Sequence, residues 1–344
     1  MWRRALVLLF VLALWLVLPA TPAQATFPDK NGRIAFRRFL NEDRSQGAVF
    51  TINPDGSDER QVTFPEEGFV DRNPDISPDG RRIAFERQGP DYDEVFVVDA
   101  DGSNLTWLTR HGPDQFCLEF SGNCSGTPAW TPDGRHIVFK SARGPVVDGF
   151  VELQALFIVR ADGSHERQLT QLATPRLGED GEPQVSPDGR RIVFERRSAR
   201  TAQPEGGIAL WILNLRTGRE RRITPYALSA GDTPDWSPDG KRILFHNNQA
   251  QEPNVSANLY TVKPNGKDLK QLTFETGGTQ NYLGSSYSPD GRFIVVGRRP
   301  ATGGVNADVF ILRADGSGIR PLTQTVLYDS YPDWGPRLHA HAHH

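Results

Sequence analysis

With 344 residues, 42 acidic against 39 basic side chains and a formal net charge of −3, the chain lacks the basic excess that a nucleic-acid partner demands. Its 10% aromatic content is ample for a large core, and two cysteines are too few for a disulfide-dense scaffold. The arginines and lysines fall one or two per repeat at strand starts, as solvated edges do.

Residues 1–25 read as a secretory signal. Arg3 and Arg4 precede an apolar run from Ala5 to Leu18, and Ala23-Gln24-Ala25 supplies a small-residue site with cleavage predicted before Thr26. An uncleaved anchor is the alternative, since such a run spans a bilayer with help from its flanks. Either reading sends the chain to the periplasm or the extracellular space.

From residue 31 onward one unit recurs about every 50 residues, the spacing of propellers and solenoids. Its first half is Ser77-Pro78-Asp79-Gly80-Arg81-Arg82-Ile83-Ala84-Phe85, which returns at Thr131, Ser186, Ser237 and Ser288. Ser, Pro, Asp and Gly are the residues of a tight turn, and Arg-Ile-Val-Phe after them reads as a strand. The second half is another hairpin, such as Val95 to Asp99, the turn Ala100-Asp101-Gly102-Ser103, then Leu105 to Thr109. Its copies begin at Phe50, Leu156, Leu210, Leu259 and Val309 and close on Thr63, Thr170, Thr224, Thr273 and Thr323. Each unit is therefore a four-stranded meander, the form of a propeller blade.

Second hairpins number six, but first hairpins only five, because one is split between the ends. Residues 31–36 supply its turn exit and second strand, and Asp329 to Gly335 its innermost strand. The expected fold is an all-β, six-bladed β-propeller over residues 26–336, closed by the C-terminal strand so that no long sheet edge remains. Residues 337–344 form a His-rich tail, expected to be disordered.

The repeated Pro-Asp-Trp-Ser-Pro-Asp-Gly-Lys-Arg-Ile of residues 234–243, with its second hairpin, resembles the WD40-like blades of the TolB-type propeller family. It is also similar to propeller domains of tricorn and prolyl-oligopeptidase-type proteases. The resemblance covers residues 31–335 and implies a non-catalytic scaffold that binds a protein, peptide or glycan. The Gly-x-Ser-x-Gly elbow of the protease relatives is absent from the sequence.

In an up-and-down blade the Pro-Asp-Gly and Asp-Gly-Ser turns share one face. The longer connections, such as Arg38 to Ala48, Gly112 to Gly126 and Asn247 to Asn258, share the other, which is the expected functional face. Acidic residues recur there at Asp71, Asp180, Asp232 and Asp329, just before the innermost strands. They suggest a ligand-binding, partly acidic funnel at the channel mouth, for which Ca²⁺ is the fitting ion, and otherwise act as strand caps. Asp75, Asp235 and Asp333, inside the strands, read as structural groups bound to Arg or to a neighbouring backbone.

Cys117 and Cys124, with six residues between them in an exported chain, read as a disulfide pinning one loop, with two free thiols as the alternative. The Asp99-Ala100-Asp101-Gly102 turn begins like a Ca²⁺ loop, but its twelfth position is Arg110 and not Glu, so it reads as a hairpin turn. Of the histidines only His111 and His246 belong to the loop face, too few to assign a metal site. No cofactor is expected beyond the Ca²⁺ reading. The enzymatic alternative is a hydrolase or polysaccharide lyase with acids and His at the channel mouth.

Overall fold

The computed structural model describes residues 31–90, 92–109, 125–142, 154–171, 178–198, 207–247, 257–276, 281–299 and 306–338. These form strands and one three-residue 3-10 turn at Tyr226–Leu228. In chain order the strands are β1 (Asn31–Phe39), β2 (Gly47–Ile52), β3 (Arg60–Gln61), β4 (Val70–Ile76), β5 (Arg82–Gln88), β6 (Asp93–Asp99), β7 (Thr106–Trp107) and β8 (Ser125–Trp130). Next come β9 (His136–Ala142), β10 (Gln154–Arg160), β11 (Arg167–Gln168), β12 (Glu179–Val185), β13 (Arg191–Arg197), β14 (Ile208–Asn214), β15 (Glu220–Arg222) and β16 (Ala230–Trp236). The last are β17 (Ile243–Asn247), β18 (Leu259–Val262), β19 (Lys270–Gln271), β20 (Asn281–Tyr287), β21 (Phe293–Arg299), β22 (Asp308–Arg313), β23 (Arg320–Pro321) and β24 (Asp329–Pro336).

They pair as four-stranded antiparallel units, consistent with a propeller. Strands β8 to β11, β12 to β15, β16 to β19 and β20 to β23 make separate sheets, and β4 to β7 make a fifth such unit. Strands β1, β2 and β3 take β24 as their fourth member, with Ile34 opposite Trp334 and Arg38 opposite Asp329. A single parallel bridge, Gly47 to Val70, joins that group to β4.

The turn chemistry is the one the residues dictate. Ser77 Oγ donates to Asp79 Oδ1 at 2.6 Å and accepts from Arg82 N at 2.9 Å, while Gly80 takes φ +72°. At the far end of each unit a threonine does a job its sequence position did not announce. Thr63, Thr109, Thr170, Thr224, Thr273 and Thr323 each accept, through Oγ1, a backbone N–H of the third strand at 2.8–3.0 Å. The outer strand is only two or three residues long, and this bond holds its end where the backbone ladder has stopped.

The cores lie between consecutive units. Ala84, Val95 and Val97 pack on Trp130, Ile137 and Phe139, and Ala35 and Val49 pack on Ile83 and Phe85. Ile34, Phe36 and Phe50 pack on Val295, Val309 and Ile311, so the chain's first strands meet its last complete unit. The second and third strands of a unit thus bury both faces, which is why Ile-Ala-Phe and Ile-Val-Phe run continuously apolar rather than alternating.

Candidate functional site

The innermost strands β4, β8, β12, β16, β20 and β24 line a central channel; the first five slip register once against their second strands, and β24 slips twice against β1. At the slip sits a residue with positive φ: Asn73 (51°), Thr127 (47°), Glu182 (48°), Thr233 (53°), Gly284 (79°) and Tyr331 (52°). In five of the six a proline follows, at a position where no ladder N–H is needed. Strand β16 has the widest slip, with Asp232 also left-handed at 58°. Tyr331 holds this conformation despite its bulk, and a Cβ on the facing Gly284 would lie 2.7 Å from Tyr331 Cα, so only glycine lets the two strands approach.

Below the slips, Asp75, Asp235 and Asp333 stitch one innermost strand to the next. Asp75 Oδ2 accepts from Trp130 N at 2.7 Å, Asp235 Oδ2 from Tyr287 N at 2.6 Å and Asp333 Oδ2 from Ile76 N at 2.8 Å. The backbone of the neighbouring unit, and not an arginine, is the partner. Their other oxygens accept from Gln184 Nε2, Trp236 N and Ser286 Oγ. Burial raises the Asp75 carboxyl well above its usual range and pushes Asp235 up to about 7 and Asp333 to about 6, with the charge of Asp333 raising Asp75 and Asp235 further. Cavities of about 70 and 60 Å³ meet at this waist, room for a few waters and too little for a peptide or sugar.

The mouth on the loop face is built from the second strands. Glu86, Lys140, Glu195, His246 and Arg37 occupy equivalent register positions in five units, and Gly297 in the sixth. Glu86 accepts from Arg72 at 2.5 Å, from Asn73 Nδ2 at 3.0 Å and from Thr127 N at 3.1 Å. Its burial is outweighed by Arg72 and Lys140, which hold its carboxyl below the usual range. Lys140 Nζ lies 3.4 Å from Glu182, whose carboxyl burial nonetheless pushes up to about 7. Glu195 accepts from Asp232 N at 2.9 Å, and His246 Nε2 stands 3.1 Å from Asp232 Oδ2 while its buried Nδ1 has no partner. The charge of Asp232, ahead of burial, holds the Tyr331 phenol above its usual range, so that ring spans from the acidic arc to Arg37, 4.9 Å from its centroid.

Of the four expected acids, three sit elsewhere than in an open funnel. Asp71, Asp180 and Asp329 are wholly buried and none lines the channel cavities. Each is gripped by two nitrogens of an arginine on the next strand: Arg87 at 2.6 and 2.8 Å, Arg196 at 2.5 and 2.7 Å, and Arg38 at 2.8 and 2.8 Å. Asp232 alone stands at the mouth, with a fifth of its side chain exposed. The slip ring and Tyr331 escaped the sequence reading, although the recurrent X-Pro pair at Asn73, Thr127, Glu182, Thr233 and Tyr331 marks five of the six sites.

The Asp101 turn behaves as a hairpin, with Asp101 Oδ1 accepting from Ser103 N at 2.9 Å and Oγ at 2.6 Å. Among the described residues no group of three or more His, Cys, Asp and Glu is placed to hold a metal ion. No helix among them is long and apolar enough to cross a membrane. Residues 1–25, Cys117, Cys124, His111 and the histidine tail lie outside the described residues.

No family model matches the chain. The Tol-Pal system protein TolB of Francisella tularensis is 28% identical over 202 residues, 59% of this chain and 39% of that protein's length, so the match spans well under half of that relative. The crystal structure of TolB from Acinetobacter baumannii superposes with a TM-score of 0.69 at 19% identity, covering 90% of this chain and 68% of that one. An oligogalacturonate lyase in complex with manganese gives 0.51 at 15% identity, over 86% of this chain and 74% of that one. The chain has a TolB-like, propeller-type fold.

Proposed function

We propose that the chain is a six-bladed propeller, closed by the pairing of β24 with β1, that docks an exported protein or peptide on its loop face without catalysis. The observation that carries this reading is the placement of its most exposed apolar side chains. Val326 (84%), Phe64 (75%) and Phe274 (75%) are the most exposed large hydrophobics among the described residues. All three lie on connections that leave an outer strand for the next innermost strand, on the loop face of three consecutive blades. Exposed apolar groups beside a charged mouth mark a protein-binding surface, while the opposite face carries short Asp-Gly turns.

Likeness to TolB supports a protein partner and an envelope location, and the predicted signal at residues 1–25 is consistent with that place. A glycan on the same aromatic-bearing rim is the weaker variant. The test is partner affinity at two salt concentrations for Asp232→Lys and Phe274→Ser against wild type. Both should bind more weakly with unchanged melting, and only the Asp232 variant should lose salt dependence. Wild-type affinity in both would refute the docking face.

One observation favours an enzymatic second reading. His246 and Asp232 form a hydrogen-bonded pair beside Glu195, and Glu182, held near neutrality, stands next to Lys140. That set suits acid and base work on a bound chain, and His246→Gln abolishing turnover of an acidic polysaccharide would establish it. Ca²⁺ near the mouth is a separate proposal. A calcium titration that raises Tm, reversed by chelator, would support it, and an unmoved Tm would remove it.

A further inference from the structure

We infer that Arg37 and Arg299, flanking the Tyr328 ring on the loop-face rim, form a subsite for a carboxylate, the acidic side chain or terminal carboxylate of the docked peptide. This rests on the loop face being the binding face.

The argument is a contrast within one molecule. At the loop-face ends of its strands the chain neutralises its arginines. Arg38 pairs with Asp329 and Glu59, Arg87 with Asp71, Arg196 with Asp180 and Glu220, and Arg298 with Glu275. Among the described residues, Arg37 and Arg299 have no carboxylate within ion-pair distance. Arg37 is only 7% exposed, yet its Nε and Nη2 meet a neutral acceptor, Ser330 Oγ, at 3.1 and 2.7 Å, and among the described residues no acceptor is in hydrogen-bond contact with its Nη1. Arg299 gives Nη2 to the Tyr328 hydroxyl at 3.2 Å and keeps a buried Nε without an acceptor.

The two cations are held by aromatic faces instead. The Arg37 guanidinium lies 4.4 Å from the Phe39 centroid, 4.9 Å from Tyr331 and 5.8 Å from Tyr328, and that of Arg299 lies 5.5 Å from Tyr328. Arg44 stacks on the same Tyr328 ring at 4.1 Å. Aromatic faces stabilise a guanidinium but leave its edge donors unused, and burial lowers the pKa of Arg37 where acid partners raise those of Arg38 and Arg196. A planar fork above an aromatic floor fits a planar carboxylate, which can take two parallel N–H bonds.

The probe is N-acetylglycine, a single carboxylate, against its neutral amide N-acetylglycinamide, with inorganic phosphate as a third arm, added to the full chain at fixed ionic strength and read by calorimetric titration. The carboxylate should bind saturably, the amide should not, and Arg299→Gln or Arg37→Gln should weaken binding about tenfold or more, the worth of a charge-assisted hydrogen bond. Arg197→Gln, at a side chain that is 55% exposed and adjacent to Glu195, should bind as wild type. Should Arg37→Gln not fold, Arg299→Gln carries the test, since its side chain makes one hydrogen bond. Equal binding of the amide, undiminished binding in Arg299→Gln, or binding of phosphate alone would overturn the assignment. Failure here leaves partner docking on the loop face to its own salt-dependence test, so the two can fail separately.

Discussion

Raising the pH should destabilise this protein across a range where most proteins are indifferent, because its channel carries carboxyls that prefer their protons. Asp235 is pushed up to about 7 and Asp333 to about 6 by burial, against roughly 3.9 for Asp in an unfolded chain. A carboxyl raised on folding contributes stability that is fully present below the unfolded value and is lost as pH rises through the folded one. Between pH 5 and pH 8 the folded chain therefore releases protons that the unfolded chain has already given up. At about 1.4 kcal/mol per pKa unit, Asp235 loses roughly 2–3 kcal/mol over that interval and Asp333 roughly 1. Glu182 and Asp93, each pushed up to about 7, act in the same direction. The turn aspartates such as Asp79 and Asp239, held below their usual range, stay charged throughout and cancel out. For a domain of this size about 2 °C per kcal/mol converts the roughly 3–4 kcal/mol from Asp235 and Asp333 to a fall of about 6–8 °C in Tm, to which Glu182 and Asp93 add. Circular dichroism melts at constant ionic strength from pH 5 to pH 8 would read it. A Tm that is flat or rises over that range would refute the buried, under-compensated state of the channel acids.

Three further outcomes follow from the packing. Trp334→Ala, at a side chain 5% exposed in the strand that pairs with β1, should cost about 3–5 kcal/mol, and an unchanged melting curve would contradict the role of β24 in the first unit. Asp180→Ala leaves Arg196 buried with only Glu220 as partner and should cost about 3 kcal/mol, the low end for a broken buried pair. Weakened partner binding at unchanged stability would instead make Asp180 a ligand residue. Thiol titration of the denatured exported protein should find no free thiol at Cys117 and Cys124, and two reactive groups would reject the bridge.

The fold was legible because its units repeat. Six threonines in register, five Ser/Thr-Pro-Asp-Gly turns and a divided first hairpin leave little freedom for any other pairing. The site was harder to read because its chemistry is carried by departures from the repeat. Asp71, Asp180 and Asp329 looked like a recurring funnel, but each lies opposite an arginine one residue before the end of the second strand: Arg87, Arg196 and Arg38. Where that position is Ser141 or Asn247, the innermost strand begins with Ser125 or Ala230. That internal covariation signals a buried pair and was present in the sequence. Asp232 belongs to a different class, an extra residue in a widened slip, and no repeat pattern marks it. Arg37 shares its register position with Glu86, Lys140 and Glu195, each of which has an oppositely charged partner, so its significance emerged from the structure and not from its charge.

The claim on which the account stands is that a partner meets the loop face. Photo-crosslinking residues placed one at a time at Glu42, Phe274 and Val326 on that face, and at Asp55 and Lys241 on the turn face, test it directly in cells exporting the full chain. The account predicts that all three loop-face positions capture the same protein and that neither turn-face position does. Capture of that protein from Asp55 or Lys241, with none from Phe274 and Val326, would contradict it.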